Sequence, residues 1–203
     1  YQMRRPETAD SNILDLYIWL NCYPTWYFTN DKGLMWVAKS EDGQYYSSIP
    51  CCKDEDLKEC FLETQKYFNE VLQKKLVMYV VDRAAVDLLQ LPEDEYVVVP
   101  DRTYADYVYD AEKLRTFSGK KYHKKKNHLN AFKREYEGRY EFKFLSKKDE
   151  PEILDFLEDW KKHKSDTEEH EFIDSEAVGI KYILEHEEVF DYKIGAVYVD
   201  NKL

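Results

Sequence analysis

The stretch Gly119 to Tyr136, GKKYHKKKNHLNAFKREY, gathers the residues best suited to chemistry. On a helix that turns about 100° per residue, its side chains separate by type. Tyr122, Leu129, Phe132 and Tyr136 share one face, which reads as a packing face. His123, Asn127, Asn130 and Arg134 share another and form a row of hydrogen-bonding groups. Lys120, Lys124 and His128 lie beyond that row, and Lys121, Lys125 and Lys126 complete the cationic set. Such a helix suits an anion or a nucleotide-like group, with free backbone N–H groups after Gly119 as extra donors. His123 is the one candidate general base, because an imidazole titrates near neutrality.

Other chemistry is weaker. His163, His170 and the carboxylates of HKSDTEEHEF match no standard metal spacing, so no metal is expected. Cys51 and Cys52 form no CxxC pair and have no nearby histidine motif to activate them. Walker, Rossmann and GxSxG motifs are absent from the sequence.

The basic stretch stands out because the 203-residue chain is acidic, with net charge −11. The window from Lys113 to Arg134 holds nine Lys or Arg and no acid, which leaves about −20 on the remainder. That balance argues against nucleic-acid or anionic-membrane binding by the surface as a whole. Four cysteines without a pairing pattern read as reduced thiols, and no apolar run reaches membrane-spanning length. The expectation is a cytoplasmic chain. Its start at Tyr1 and its stop at Leu203, just after a strand-and-turn pattern, read as truncations at both ends.

Several elements must position the basic helix. Residues 9–23 carry helical apolar spacing with Asp10 or Ser11 as cap. TWYFTNDKGLMWVAK reads as two strands about an Asn-Asp-Lys-Gly turn, and QYYSSIP as a third. KDEDLKECFLETQKYFNEVLQKK is a helix with acids first and lysines last. KLVMYVVD reads as a buried strand, AAVDLLQLP as a short helix, and EYVVVPDRTYADYVYD as two strands broken at Pro100. After the basic stretch come a strand (EFKFLSKK), two helices and a further strand (DYKIGAVYVDNKL). The repeated order suggests two related α/β units: residues 1–112, a basic connector over 113–138, and residues 139–203, incomplete at the C-terminal end.

The sequence ADYVYDAEKLRTFSGKKYHKKKNHLNAFKREY resembles a bacterial family related to the C-terminal domain of phosphatidylglycerol lysyltransferases. The matching positions are Asp106, Tyr107, Tyr109, Leu114, Gly119, Lys120, Lys121, Tyr122, His123, Lys125, Lys126, Asn127, His128, Leu129 and Phe132. The opening YQMR and the closing GAVYVDNKL are similar to the family's flanks. Lys126 stands where the family has arginine, which removes a planar two-pronged donor.

The resemblance implies an α/β (α+β, mixed-sheet) fold of two tandem GNAT-like acyltransferase domains, with acyl-CoA held at a split between parallel strands. In the first unit the matching loop would be SSIPCCKDEDLKEC. It lacks glycine and brings acids to a helix start, which repels a pyrophosphate. In the second unit that loop would fall after Leu203. The resulting expectation is an acyl- or aminoacyl-transferase that moves an activated acyl group to an amine or hydroxyl acceptor. The donor would be acyl-CoA or an aminoacyl-tRNA, small-molecule or tRNA-linked, with the basic helix lining a cleft between domains. His123 would act as base. Lys120, Lys121, Tyr122, Lys124, Lys125, Lys126, Asn127, His128, Asn130 and Arg134 would bind substrate. The alternative is a non-catalytic module that grips RNA, tRNA or another anion. The sequence leaves open the choice between enzyme and binding module, the acceptor and the oligomeric state.

Overall fold

The computed structural model describes residue 4, residues 8–164 and residues 170–203. These form an α+β arrangement with two antiparallel sheets. The chain divides into two compact units, Tyr1–Ala105 with His163–His186, and Asp106–Lys162 with Glu187–Leu203.

In the first unit, helix α1 (Ile13–Ile18) begins at Asn12, whose side-chain oxygen accepts from the Leu14 N–H at 3.0 Å. The cap is therefore Asn12, later than the Asp10 or Ser11 expected, and the helix is correspondingly shorter. Strands β1 (Thr25–Thr29) and β2 (Gly33–Lys39) form the expected hairpin. Its turn is fixed by Asn30, whose Oδ1 accepts from the backbone N–H groups of Lys32 and Gly33, both at 2.9 Å. Short strands β3 (Tyr45–Tyr46) and β4 (Cys51–Cys52) each pair with β2. Helix α2 (Leu57–Lys66) continues into a π-helical turn over Tyr67–Leu72. It buries Leu57, Cys60 and Phe61 in a core with Met35, Ile49, Cys52, Ala85 and Leu89.

Helix α3 (Arg83–Leu89) is capped by Asp82, which accepts from the Ala85 N–H at 2.8 Å. The same carboxylate meets Arg4, whose Nη2 lies 2.7 and 2.8 Å from the two oxygens. Both residues are buried, Arg4 at 8% and Asp82 at 5% exposure. Arg4 also reaches Asp54 at 3.3 Å. A buried charge is tolerable only when paired and hydrogen-bonded, so each partner requires the other.

Two expected β segments are corrected. In KLVMYVVD the ladder is reduced to a single parallel bridge between Met78 and Ser47. Val80 then takes φ of +55°, a left-handed conformation that β-branched residues avoid and that ends extended pairing. EYVVVPDRTYADYVYD forms no strand; it is irregular, with a 3-10 turn at Arg102–Tyr104. β propensity needs a neighbouring ladder to act on, and none pairs with these residues among those described.

In the second unit, strands β5 (Tyr140–Leu145) and β6 (Ile194–Val199) pair in register from Tyr140↔Val199 to Leu145↔Ile194. Helix α6 (Glu150–Lys164) follows a capping box in which Asp149 accepts from the Ser146 N–H at 2.9 Å. Glu152 on this helix accepts from the Tyr198 hydroxyl at 2.7 Å, which ties α6 to β6. Helices α4 (Ala111–Thr116) and α5 (His123–Glu135) complete the unit.

Helix α7 (His170–Glu185) belongs to the first unit and packs on α1. Tyr17 and Tyr182 stack at 5.4 Å and 8°. The helices approach so closely at Gly179 that a Cβ there would fall 2.3 Å from the Ile18 carbonyl oxygen. The Gly179→Ala change should therefore lower stability by about 1–3 kcal/mol despite alanine's better helix propensity. Denaturant unfolding would measure it, and a neutral or stabilised variant would contradict the close approach.

Candidate functional site

The basic helix is where the sequence places it. Asp110 caps α4 by accepting from the Lys113 N–H at 2.9 Å, and Lys113 returns an ion pair at 3.3 Å. Those contacts hold the Asp110 carboxyl below the usual carboxylate range. The chain leaves α4 through Phe117 in the left-handed region and then turns at Gly119, whose φ of +92° and ψ of 154° suit glycine. A 3-10 turn over Lys120–Tyr122 leads directly into α5.

The packing face is as expected. Tyr122 is 1% exposed, and Leu129, Phe132 and Tyr136 are half-buried. Phe132 contacts Tyr136 at 4.9 Å and Tyr140 at 5.3 Å, fastening the helix to β5. Beyond the helix, Arg139 clasps Asp200 with Nε–Oδ1 at 2.7 Å and a second bond from Nη2 to Oδ2. That clasp holds the Asp200 carboxyl below its ordinary range.

The other expected site residues, Lys120, Lys121, His123, Lys124, Lys125, Lys126, Asn127, His128, Asn130 and Arg134, are exposed. His123 Nδ1 lies 3.4 Å from Asn127 Nδ2, so the first two members of the polar row meet. Of the nine cations in the acid-free window, Lys113 and Arg115 pair with carboxylates. Lys120, Lys121, Lys124, Lys125, Lys126, Lys133 and Arg134 have no carboxylate in ion-pair contact among the described residues. Five of these seven lie in the 3-10 turn or the first turn and a half of α5, which carries no acid in its first turn and no side-chain cap. Positive charge there opposes the helix dipole.

Two of the free lysines sit over rings. Lys121 Nζ is 5.2 Å from the Tyr122 centroid, and Lys125 Nζ is 5.0 Å from that of Tyr109. Tyr109 also leans on Tyr122 at 6.4 Å and stacks with Tyr107 at 6.5 Å and 17°. Sequence reasoning quoted Tyr107 and Tyr109 but gave them no site role. Their signal was an alternating aromatic pair shortly ahead of α4 and the lysine-rich helix that follows it.

A polar cavity of about 490 Å³ lies elsewhere in the same unit, lined by Lys143, Lys148, Asp149, Glu152, Tyr198 and Asn201 together with Phe144 and Leu145. The hydrogen bond to Glu152 pushes the Tyr198 hydroxyl up to about 12. Burial pushes Cys51, Cys52 and Cys60 up, Cys52 to about 12, so these sulfurs are neutral at physiological pH. The helix start at α2 carries Asp54, Glu55 and Asp56, as the sequence indicated. The histidine–carboxylate stretch lies largely outside the described residues, at 165–169. Among the described residues no cluster of three metal-ligating side chains occurs, and no helix is long and apolar enough to cross a membrane.

An α+β chain with an unneutralised basic helix is the class that fold and site define. Residues 3–203 match the family described as phosphatidylglycerol lysyltransferase, C-terminal, and the chain belongs to that family. It is 28% identical over 100 residues to an uncharacterized protein of Mycoplasmoides gallisepticum, a match covering 49% of this chain and 32% of that protein. The chain thus spans about a third of that curated relative. A crystal structure of a conserved protein of unknown function from Bacteroides thetaiotaomicron is similar with a TM-score of 0.81 and 25% identity, covering 98% of this chain and 67% of the other.

Tyr122 supplies a test of the site's construction. Its hydroxyl is buried without a hydrogen-bond partner. A buried unsatisfied group costs about 1–3 kcal/mol, so Tyr122→Phe should leave stability unchanged or raise it by about 1 kcal/mol. Thermal unfolding would check this, and a marked loss would mean the hydroxyl is paired in solution.

Proposed function

We propose that this chain serves acyl or aminoacyl transfer, moving an activated acyl group to an amine or hydroxyl acceptor. The N-terminal end of α5 holds the phosphates of the donor, either acyl-CoA or an aminoacyl-tRNA. Membership of the lysyltransferase-related family supports the transfer chemistry. The observation that carries the phosphate dock is the set of cations at this helix end: Lys120, Lys121, Lys124, Lys125 and Lys126 have no carboxylate in ion-pair contact among the described residues. Phosphate there neutralises the ammonium groups and completes the dipole.

Asn127, Asn130 and Arg134 continue the polar row as donors along the ligand, with His128 beside them. Tyr122 positions the helix. His123, beside Asn127, takes the acceptor's proton as the amine or hydroxyl attacks the acyl carbon, and returns it to the CoA thiol or the tRNA ribose hydroxyl that leaves as the donor's acyl bond breaks. The reading also treats the chain as GNAT-like units in tandem. The parallel bridge between Ser47 and Met78 supports this, since it joins the chain entering α2 to the chain leaving it. The acids ahead of α2 keep a pyrophosphate from that helix start.

A non-catalytic module for RNA or other anions is the second reading, favoured by the lysine–tyrosine contacts at α5. Binding of acetyl-CoA and of an aminoacyl-tRNA, measured against salt concentration, tests the shared dock. Affinity for the true donor should fall steeply with salt. A variant with Lys124, Lys125 and Lys126 all changed to Glu should bind at least about tenfold more weakly, with a shallower salt slope. Unchanged binding would overturn the dock. Discharge of the bound donor by a primary amine separates the two readings: transfer lost in His123→Ala with binding retained supports the enzyme, and binding without discharge supports the module.

A further inference from the structure

We propose that Tyr107 and Tyr109 form a base-stacking subsite beside the lysines of α5, and that its ligand is a nucleobase joined to phosphate. This rests on the reading above that donor phosphates meet α5.

The three tyrosines make a graded support. Tyr122 is buried, Tyr109 is partly exposed, and Tyr107 is 89% exposed. Each ring leans on the next: Tyr122 on Tyr109 at 6.4 Å and 47°, Tyr109 on Tyr107 at 6.5 Å and 17°. The near-parallel pair leaves the outer ring open to solvent, in an irregular stretch that pairs with no strand among the described residues.

Cations accompany the rings. Lys125 lies over Tyr109 and Lys121 over Tyr122, so one ammonium group stands one ring away from the exposed face and another two rings away. The nearest acid at the start of α4, Asp110, is already engaged by the N–H and ammonium of Lys113. Stacked aromatic faces beside cations not paired to carboxylates suit a base with its phosphate, because every base offers a π face and every phosphate a charge. The adenine of CoA and an unpaired base of RNA carry the same chemistry.

Titration calorimetry distinguishes them. The probes are CoA, a single-stranded oligoadenylate and base-free inorganic pyrophosphate, each with the wild-type chain, Tyr107→Ala and Tyr107→Phe. Tyr107 is nearly fully exposed, so its replacement leaves the fold intact. Tyr107→Ala should bind the base-bearing ligand about tenfold more weakly. Tyr107→Phe should keep wild-type affinity, and pyrophosphate should bind all three chains alike. A loss confined to CoA identifies the cofactor's adenine as the base, and one confined to oligoadenylate identifies RNA.

If Tyr107→Ala binds CoA and oligoadenylate as the wild type does while pyrophosphate still binds, the stacking subsite is overturned and the phosphate dock stands. If no probe binds the wild-type chain, both fall.

Discussion

Like charge gathered at the positive end of a helix dipole is the constraint on which this structure turns. Five lysines occupy Lys120 to Lys126, where α5 has neither a side-chain cap nor an acid in its first turn. Each such cation is locally unfavourable by about 0.3–1 kcal/mol at low salt. The helix persists because its opposite side is fastened. Tyr122 is buried at its start, Phe132 packs against Tyr136 and Tyr140 near its end, and Arg139 clasps Asp200 just beyond. Apolar packing offsets the charge conflict, and the conflict itself persists on the exposed face. Local rules are broken most often at functional sites, and here the break lies on the exposed face of a helix whose other face is packed.

The first unit follows the opposite pattern. Its buried cation, Arg4, has two short contacts to Asp82, and that carboxylate also caps α3. Lys32 reaches Glu59 and Asn30 reaches Glu63, binding the β1–β2 turn to α2. Its buried thiols, Cys52 and Cys60, are pushed up by burial. These named charges hold the fold, whereas five lysines at the start of α5 have no carboxylate in ion-pair contact among the described residues.

Local signals made much of this legible. The Asn-Asp-Lys-Gly turn announced β1 and β2, and its Asn30 side chain forms the bonds the turn needs. Periodicity gave α2 and α6 and both faces of α5, including the burial of Tyr122, Leu129, Phe132 and Tyr136. Propensity misled where no ladder partner stood beside the segment among the described residues. Val97, Val98 and Val99 look like strand residues, yet they stand exposed because no strand lies beside them among the described residues. Long-range pairs were invisible for a different reason. Arg4 and Asp82 meet across 78 residues, and neither position carries a local mark of the other. The Tyr107–Tyr109 stack was half legible, since residues two apart share one face of an extended chain, but no local mark announced the contact of Tyr109 with Tyr122.

Direct observation of the lysine ammonium groups by NMR, during titration with inorganic tripolyphosphate, tests the central claim most closely. The account predicts that perturbations concentrate on Lys120, Lys121, Lys124, Lys125 and Lys126 and saturate together. Shifts spread evenly over the chain's lysines, or strongest at paired ones such as Lys32 and Lys113, would contradict it.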